Sequence, residues 1–382
     1  MTDNEPLAGQ LDIDGNTTPD TTAPERTKLQ AAITAAQPDG TEITVTAADI
    51  GVALGRTPSA AEFWQYLDGK ATPEFSDAVA EAVRRRKEAP RVSEPAPPTG
   101  YIYPLSKAHH AVFTGLEEKK KTAIFEGNGA TSYIAISFDA LRDAGIKIPA
   151  RFTAFDNRVF CVTWTLAKDM QPRILSARTV ARYVFNRRDP AQSQVYRVQD
   201  SLRKMLFSAV QIDNRQLYEL HRVTVTIDAA APILEGRIYS AYIDGQYCNS
   251  VIDLRNDRAP LLIRAAEATG QITVLPRAAF HPAISITERS TAIIDAVYRR
   301  VNQITHTDAP GRKKSGWNIV TVDGICSAAN LKRATQRNER RDIAPIQATL
   351  DALTTAGTIA EAVKDPENAE RWTIKPPKGR KF

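Results

Sequence analysis

The sequence predicts an α+β fold in which one order of elements, three helices followed by a hairpin, occurs twice. Three observations predict it. Apolar stripes at helical spacing recur in two separate stretches, 153–205 and 285–353. Period-two runs bounded by turn residues follow each stretch, at 208–227 and 358–374. A proline-rich break at 87–100 sets both apart from what precedes them.

Residues 1–25 carry six acids (Asp3, Glu5, Asp12, Asp14, Asp20, Glu25) and no Lys or Arg, so a disordered acidic tail is expected. Residues 26–86 read as a small helical segment. Within it, Ala48-Asp-Ile-Gly-Val-Ala-Leu-Gly55 and Phe63-Trp-Gln-Tyr-Leu-Asp-Gly-Lys70 resemble the helix-turn-helix of small phage repressors, with a longer spacing between Gly55 and Gly69. A plain helical bundle for self-association fits the same pattern. The linker at 87–100 runs through Pro90, Pro95, Pro97 and Pro98.

A first domain is expected over 101–257. Ser132-Tyr-Ile-Ala-Ile-Ser137 alternates as a half-buried strand should. Thr153 and Asp156 make a capping box for a helix whose stripe is Phe155, Val159, Val162 and Leu166. Ser176 caps the next helix, with Ala177, Val180, Ala181 and Val184 facing inward. After the breaker Asn186-Arg187-Arg188-Asp189-Pro190, a third helix buries Val195, Val198, Leu202 and Met205. Strands at 208–212 and 222–227 follow, then a β-rich extension at 233–257 turning at Asp244-Gly245.

A second domain is expected over 258–375, opening with a short helix near 260–268 and a strand at Gln271–Leu275. Ser285 with Glu288 caps a helix striped by Ile294, Val297, Val301 and Ile304. Trp317–Val322 reads as a strand and Gly324–Ala329 as a short helix. Asp342 caps the last helix, with Ile343, Ile346, Leu350 and Leu353 inward, Pro345 in its first turn and Ala356-Gly357 at its end. A hairpin of Thr358–Val363 and Arg371–Ile374 closes the unit, and a basic tail occupies 376–382. Helix, helix, helix, hairpin is the order of a winged helix. The predicted fold is therefore two winged-helix domains in tandem, preceded by a small helical segment and a disordered acidic N-terminus.

The net charge of +6 is unevenly spread. Residues 173–204 hold eight basic residues against two acids, and so do residues 312–341. These windows account for the whole +12 that remains after residue 25. Two separated basic patches are the footprint of phosphate binding, so double-stranded DNA is the expected partner. In the third helix of the first unit, Gln194, Arg197, Ser201 and Lys204 share one side at spacings of 3, 4 and 3, read as the face toward the major groove. Arg187, Arg188 and Arg203 are assigned to phosphates. In the second window Arg312, Lys313 and Lys314 lie in a loop, and Lys332, Arg333, Arg337, Arg340 and Arg341 precede or open the last helix, also as phosphate contacts.

Enzymatic readings find no support. A nickase of the His-hydrophobe-His type needs metal-binding histidines one residue apart, whereas His109 and His110 are adjacent, which in a strand sends them to opposite faces. His221, His281 and His306 are isolated, and no GxxxxGK[ST] phosphate loop is present. Neither catalytic residues, metal nor cofactor is expected. Cys161, Cys248 and Cys326 lack ligand spacing, the polar start is unlike a signal peptide, and no apolar run approaches a membrane span. A cytoplasmic location follows as the expectation.

From Tyr101 onward the chain resembles the tandem winged-helix replication initiators of theta-replicating plasmids, in particular those of gut bacteria. The likeness rests on Tyr103-Pro-Leu-Ser-Lys107, on Ile136-Ser-Phe-Asp-Ala-Leu141-Arg-Asp-Ala-Gly145, on Arg151-Phe-Thr-Ala-Phe-Asp156-Asn-Arg-Val-Phe160 and on Ser201-Leu-Arg-Lys-Met205. It covers residues 101–375. It implies binding to repeated sequences at a plasmid origin, local duplex opening and recruitment of host replication proteins, without enzymatic activity. It also implies a homodimer when repressing, joined through the first winged unit, and a monomer when initiating. The alternative is a transcriptional regulator of a phage or mobile element, read chiefly by residues 26–86.

Overall fold

The computed structural model describes residues 32–36, 42–87, 95–114, 122–127, 130–170, 173–213, 231–243, 246–254, 259–268, 270–306, 317–335 and 339–377. Two compact units divide the chain: residues 1–93 with 239–251, and residues 94–238 with 252–382. Among the described residues no helix is long and apolar enough to cross a membrane. The tail at 1–25 lies outside them.

In the first unit a hairpin, β1 (Ala32–Ala36) and β2 (Glu42–Thr46), precedes helices α1 (Ala47–Leu54), α2 (Ala60–Leu67) and α3 (Pro73–Lys87). Three helices make up most of the segment expected to be helical, and the hairpin precedes them. Its second strand, Glu-Ile-Thr-Val-Thr, has the β-branched composition that favours a pleated strand over a helix. Val45, Ile50, Phe63, Phe75 and Val79 form the core. A side chain on Gly51 would meet the Arg56 carbonyl at 3.0 Å, and Gly55 takes φ +71°, so both glycines serve the tight turn after α1. Ser59 and Glu62 then cap α2 reciprocally.

The second unit begins with β3 (Gly100–Pro104), α4 (Lys107–Thr114), β4 (Thr122–Gly127), β5 (Ala130–Ser137) and α5 (Asp139–Asp143). Then come α6 (Ala154–Ala167), β6 (Ile174–Ser176), α7 (Ala177–Phe185), α8 (Gln192–Leu206), β7 (Ala209–Asp213) and β8 (Ala231–Pro232). The reciprocal cap of Thr153 with Asp156 and the Ser176 cap both form as the sequence predicts. Of the hairpin expected after α8, only the first strand falls within the described residues. Strand β7 pairs with β5 on one side and β8 on the other, in the order β4-β5-β7-β8, and residues 222–227 lie outside the described ones. Strands β9 (Arg237–Ile243) and β10 (Gln246–Asp253), most of whose residues belong to the first unit, pair with each other; their expected turn, Asp244-Gly245, is also outside.

Next come α9 (Leu261–Ala268), β11 (Ile272–Pro276), α10 (Arg277–Phe280), α11 (Glu288–His306), β12 (Ile319–Thr321), α12 (Val322–Ala328), α13 (Arg340–Thr355), β13 (Glu361–Lys364) and β14 (Arg371–Lys375). The last three strands form an antiparallel sheet in the order β12-β14-β13. Two caps differ from expectation. Thr287 and Ser290, not Ser285 and Glu288, close the start of α11 through paired hydroxyl and backbone bonds. Helix α13 starts at Arg340, so Asp342 lies inside its first turn and Pro345 falls beyond that turn. Asp342 is held there by Arg289 and by the backbone N–H of Ala334, partners the local sequence does not reveal.

The expected domain boundary at 257/258 runs through one continuous core. Strand β11 pairs antiparallel with β3, matching Val274 to Ile102 and Leu275 to Tyr101. The strands approach so closely that a Cβ on Gly100 would lie 2.9 Å from the Leu275 carbonyl. Below them the buried Arg158 guanidinium lies 4.2 Å from the Phe280 ring and 2.7 Å from His281 Nδ1, and it donates to the Val184 carbonyl. Asn157 donates through Nδ2 to the buried Asp295 carboxylate at 2.9 Å and accepts at Oδ1 from His109 Nε2 at 2.6 Å. Tyr103 also donates to Asp295. The network ties β3 and α4 to α6 and α11 inside the core.

Candidate nucleic-acid interface

The basic segment between α7 and α8 is built by a left-handed residue. Asn186 ends α7 at φ +49°, and its side-chain oxygen accepts from Arg277 at 3.0 Å. The chain therefore turns sharply outward and leaves Arg187 and Arg188 exposed. Asp189, the acid in this turn, is taken by Arg178 at 2.9 Å, and the same guanidinium reaches Gln192 at 3.1 Å. The two turn arginines thus face solvent just before the N-terminus of α8, where groove-entering helices meet a duplex.

The side chains expected to read bases from α8 are arranged otherwise. Ser201 is buried and donates to Asp156 Oδ1 at 2.5 Å. Lys204, 8% exposed, donates to Asp156 Oδ2 at 2.6 Å and to the Arg151 carbonyl at 3.2 Å. The Arg197 guanidinium lies 3.7 Å from the Phe155 ring, and burial lowers its pKa. Gln194 turns back to accept from the Ala191 N–H at 3.0 Å. The reason is geometric. At about 100° per residue these four positions flank the Val195–Met205 stripe rather than oppose it. Helix α8 packs on α6 and α7 together, so its buried arc is wider than the apolar residues alone describe. Its exposed positions are Gln192, Ser193, Tyr196 and Asp200, with Arg203 half-buried beside them.

The second basic window divides similarly. Arg333 is bound by Asp323 at 2.9 Å, by Glu339 at 3.5 Å and by Glu370, which makes it a brace between loop, helix and hairpin. Lys332, Arg340 and Arg341 are exposed. Arg312, Lys313, Lys314 and Arg337 lie outside the described residues. On α13, Gln347 accepts from the Trp372 indole at 2.7 Å and donates to Asp351 at 2.8 Å, so this polar pair ties the helix to the hairpin.

Two charged groups here escaped the sequence reading. Arg151 precedes the cap of α6 and belongs to neither basic window; Arg178 belongs to the first but was given no role. Pattern reading weighs stripes and runs, and a lone arginine before a cap has no such signal. His109 and His110 lie on helix α4 rather than on a strand. Burial holds His109 near pKa 4 despite its bond to Asn157, and burial together with the Arg299 guanidinium holds His110 near 3.

No family model matches the chain, and no curated protein matches it in sequence. Its fold is similar to a crystal structure of domains 2 and 3 of RctB, at 9% identity and a TM-score of 0.38, over 71% of this chain and 98% of that one.

Proposed function

We propose that the protein is a DNA-binding replication initiator built on two winged-helix units, one containing α6, β6, α7 and α8, the other formed by α11, β12, α12, α13 and the β13–β14 hairpin. One observation carries the reading. In both units exposed arginines occupy the approach to the third helix: Arg187 and Arg188 before α8, Arg340 and Arg341 at the start of α13. The β12-β14-β13 order supports the second unit, because in a winged helix the first strand pairs with the far strand of the wing. The sequence likeness to plasmid initiators adds origin repeats as the DNA target and host replication proteins as partners. The protein works without catalysis or cofactor, in the cytoplasm, as a monomer on origin DNA and as a dimer in repression.

The test is footprinting on the replicon that carries the gene. Protection over directly repeated sites about two helical turns apart is the expected result. Full affinity for a single inverted repeat, with no protection of direct repeats, would overturn it in favour of a transcriptional regulator.

A further inference from the structure

Between the two helical repeats lies an open cleft of about 570 Å³. Its walls come from the start of α6, the start of α11, the end of α12 and the start of α13. Three arginines line it, Arg151, Arg289 and Arg341, together with one acid, Glu288. Their situations differ. Arg289 is consumed by the fold: its Nε binds Asp342 at 2.7 Å and its terminal nitrogen donates to the Lys332 carbonyl at 2.8 Å. Arg341 is exposed, and Arg151 has only a loose pairing with Glu288, at 3.9 Å.

The cleft is held at a fixed width. Asn330, in a left-handed conformation at φ +54°, donates across it to the Thr114 carbonyl at 3.2 Å. On the opposite wall Lys204 grips the Arg151 carbonyl at 3.2 Å while neutralised by Asp156. Lys204, read from the sequence as a base contact, therefore holds the Arg151 backbone instead. The outcome is two guanidinium groups, one from each repeat, lining a common open space, with Lys332 and Arg340 exposed nearby in the sequence of the second.

We infer that this cleft binds phosphate, with Arg151 and Arg341 as its two ligands contributed by different repeats. A guanidinium is suited to this because its planar fork meets phosphate oxygens bidentately and stays charged at any physiological pH. The inference deepens the DNA-binding reading: besides the two basic windows, Arg151 of the first repeat and Arg341 of the second meet at one junction, which would carry a duplex backbone across it. The same chemistry would accept a free phosphate compound, and the experiment separates these sources.

Full-length Arg151→Gln/Arg341→Gln is compared with the parent chain in two assays. On duplex DNA, the slope of log affinity against log salt should fall by about two units, one per lost phosphate contact. Separately, inorganic pyrophosphate at about ten times its Kd should raise the parent's unfolding midpoint by roughly 2–4 °C if the cleft takes free phosphate. A lower slope without a pyrophosphate shift assigns the cleft to the DNA backbone; a pyrophosphate shift that the variant loses assigns it to a free phosphate compound. An unchanged slope and no variant-sensitive shift overturn the inference. Arg151→Lys/Arg341→Lys keeps both charges and should restore most of the slope, which a folding defect would not do. If the parent chain fails to bind DNA at all, the initiator reading falls, and the pyrophosphate assay still decides the cleft.

Discussion

The two repeats join their first and third helices by an ion pair, but with the charges exchanged. In the first repeat the acid is on the first helix and the cation on the third: Asp156 of α6 holds Lys204 of α8. In the second the cation is on the first helix and the acid on the third: Arg289 of α11 holds Asp342 of α13. This inversion decides which basic residues remain for a ligand. Lys204 is spent inside the first repeat, so its exposed positive charge is displaced to the turn at Arg187 and Arg188. In the second repeat the acid sits within the first turn of α13, and the neighbouring Arg340 and Arg341 stay exposed. Whether a basic residue on a third helix faces solvent depends on what the first helix places opposite it.

The two pairs also differ in depth, and stability separates them. The side chains of Asp156 and Lys204 are 2% and 10% exposed, whereas Arg289 is 24% exposed. Asp156→Ala leaves a buried ammonium and a buried hydroxyl without their acceptor, and should destabilise the fold by about 3–5 kcal/mol in chemical denaturation. Asp342→Ala leaves a guanidinium that can reach water, and about 1–2 kcal/mol is expected. Equal losses would show that burial does not distinguish the repeats.

A second contrast is aromatic. The third helix of the second repeat is anchored, besides its ion pair, by the fully buried Trp372 of β14, bonded to Gln347. Trp372→Ala should therefore lower stability by about 3–4 kcal/mol, and guided by the same reasoning it should loosen the hairpin without disturbing α8. Protection of α8 amides from hydrogen exchange that collapses together with the hairpin would contradict that separation.

The junction between the repeats should respond to acid. Burial depresses the pKa of His281 to about 2, with Arg158 and Arg277 adding to the effect, and it depresses His109 to about 4 and His110 to about 3. A group whose folded pKa is lowered supplies its stability above the unfolded value of about 6.5 and loses it as pH falls toward the folded value. The unfolding midpoint should thus decline between pH 6.5 and 4, and His281→Asn should flatten that decline. An unaltered pH profile in this variant would mean His281 keeps its proton balance on unfolding.

Much of the architecture was legible. Asp156 three residues after Thr153, Ser176 before an amphipathic run, and the stripes ending at Met205 and Leu353 each encode a helix through local chemistry. What escaped were relations between distant residues. The β3–β11 ladder joins positions about 170 apart, and no short-range pattern announces it. Ser201 and Lys204 look like a solvent-facing set until Asp156 is placed against them. Arg333 looks like a phosphate contact until three acids from two other elements surround it. Local periodicity fixes which residues enter a helix, while tertiary partners fix which of its polar residues remain outside.

The salt dependence of duplex binding tests the central claim most directly. Arg187→Gln/Arg188→Gln should reduce the slope by about two units, whereas Ser201→Ala, at a buried position, should leave it unchanged. A slope lowered by Ser201→Ala and untouched by the turn arginines would contradict the account.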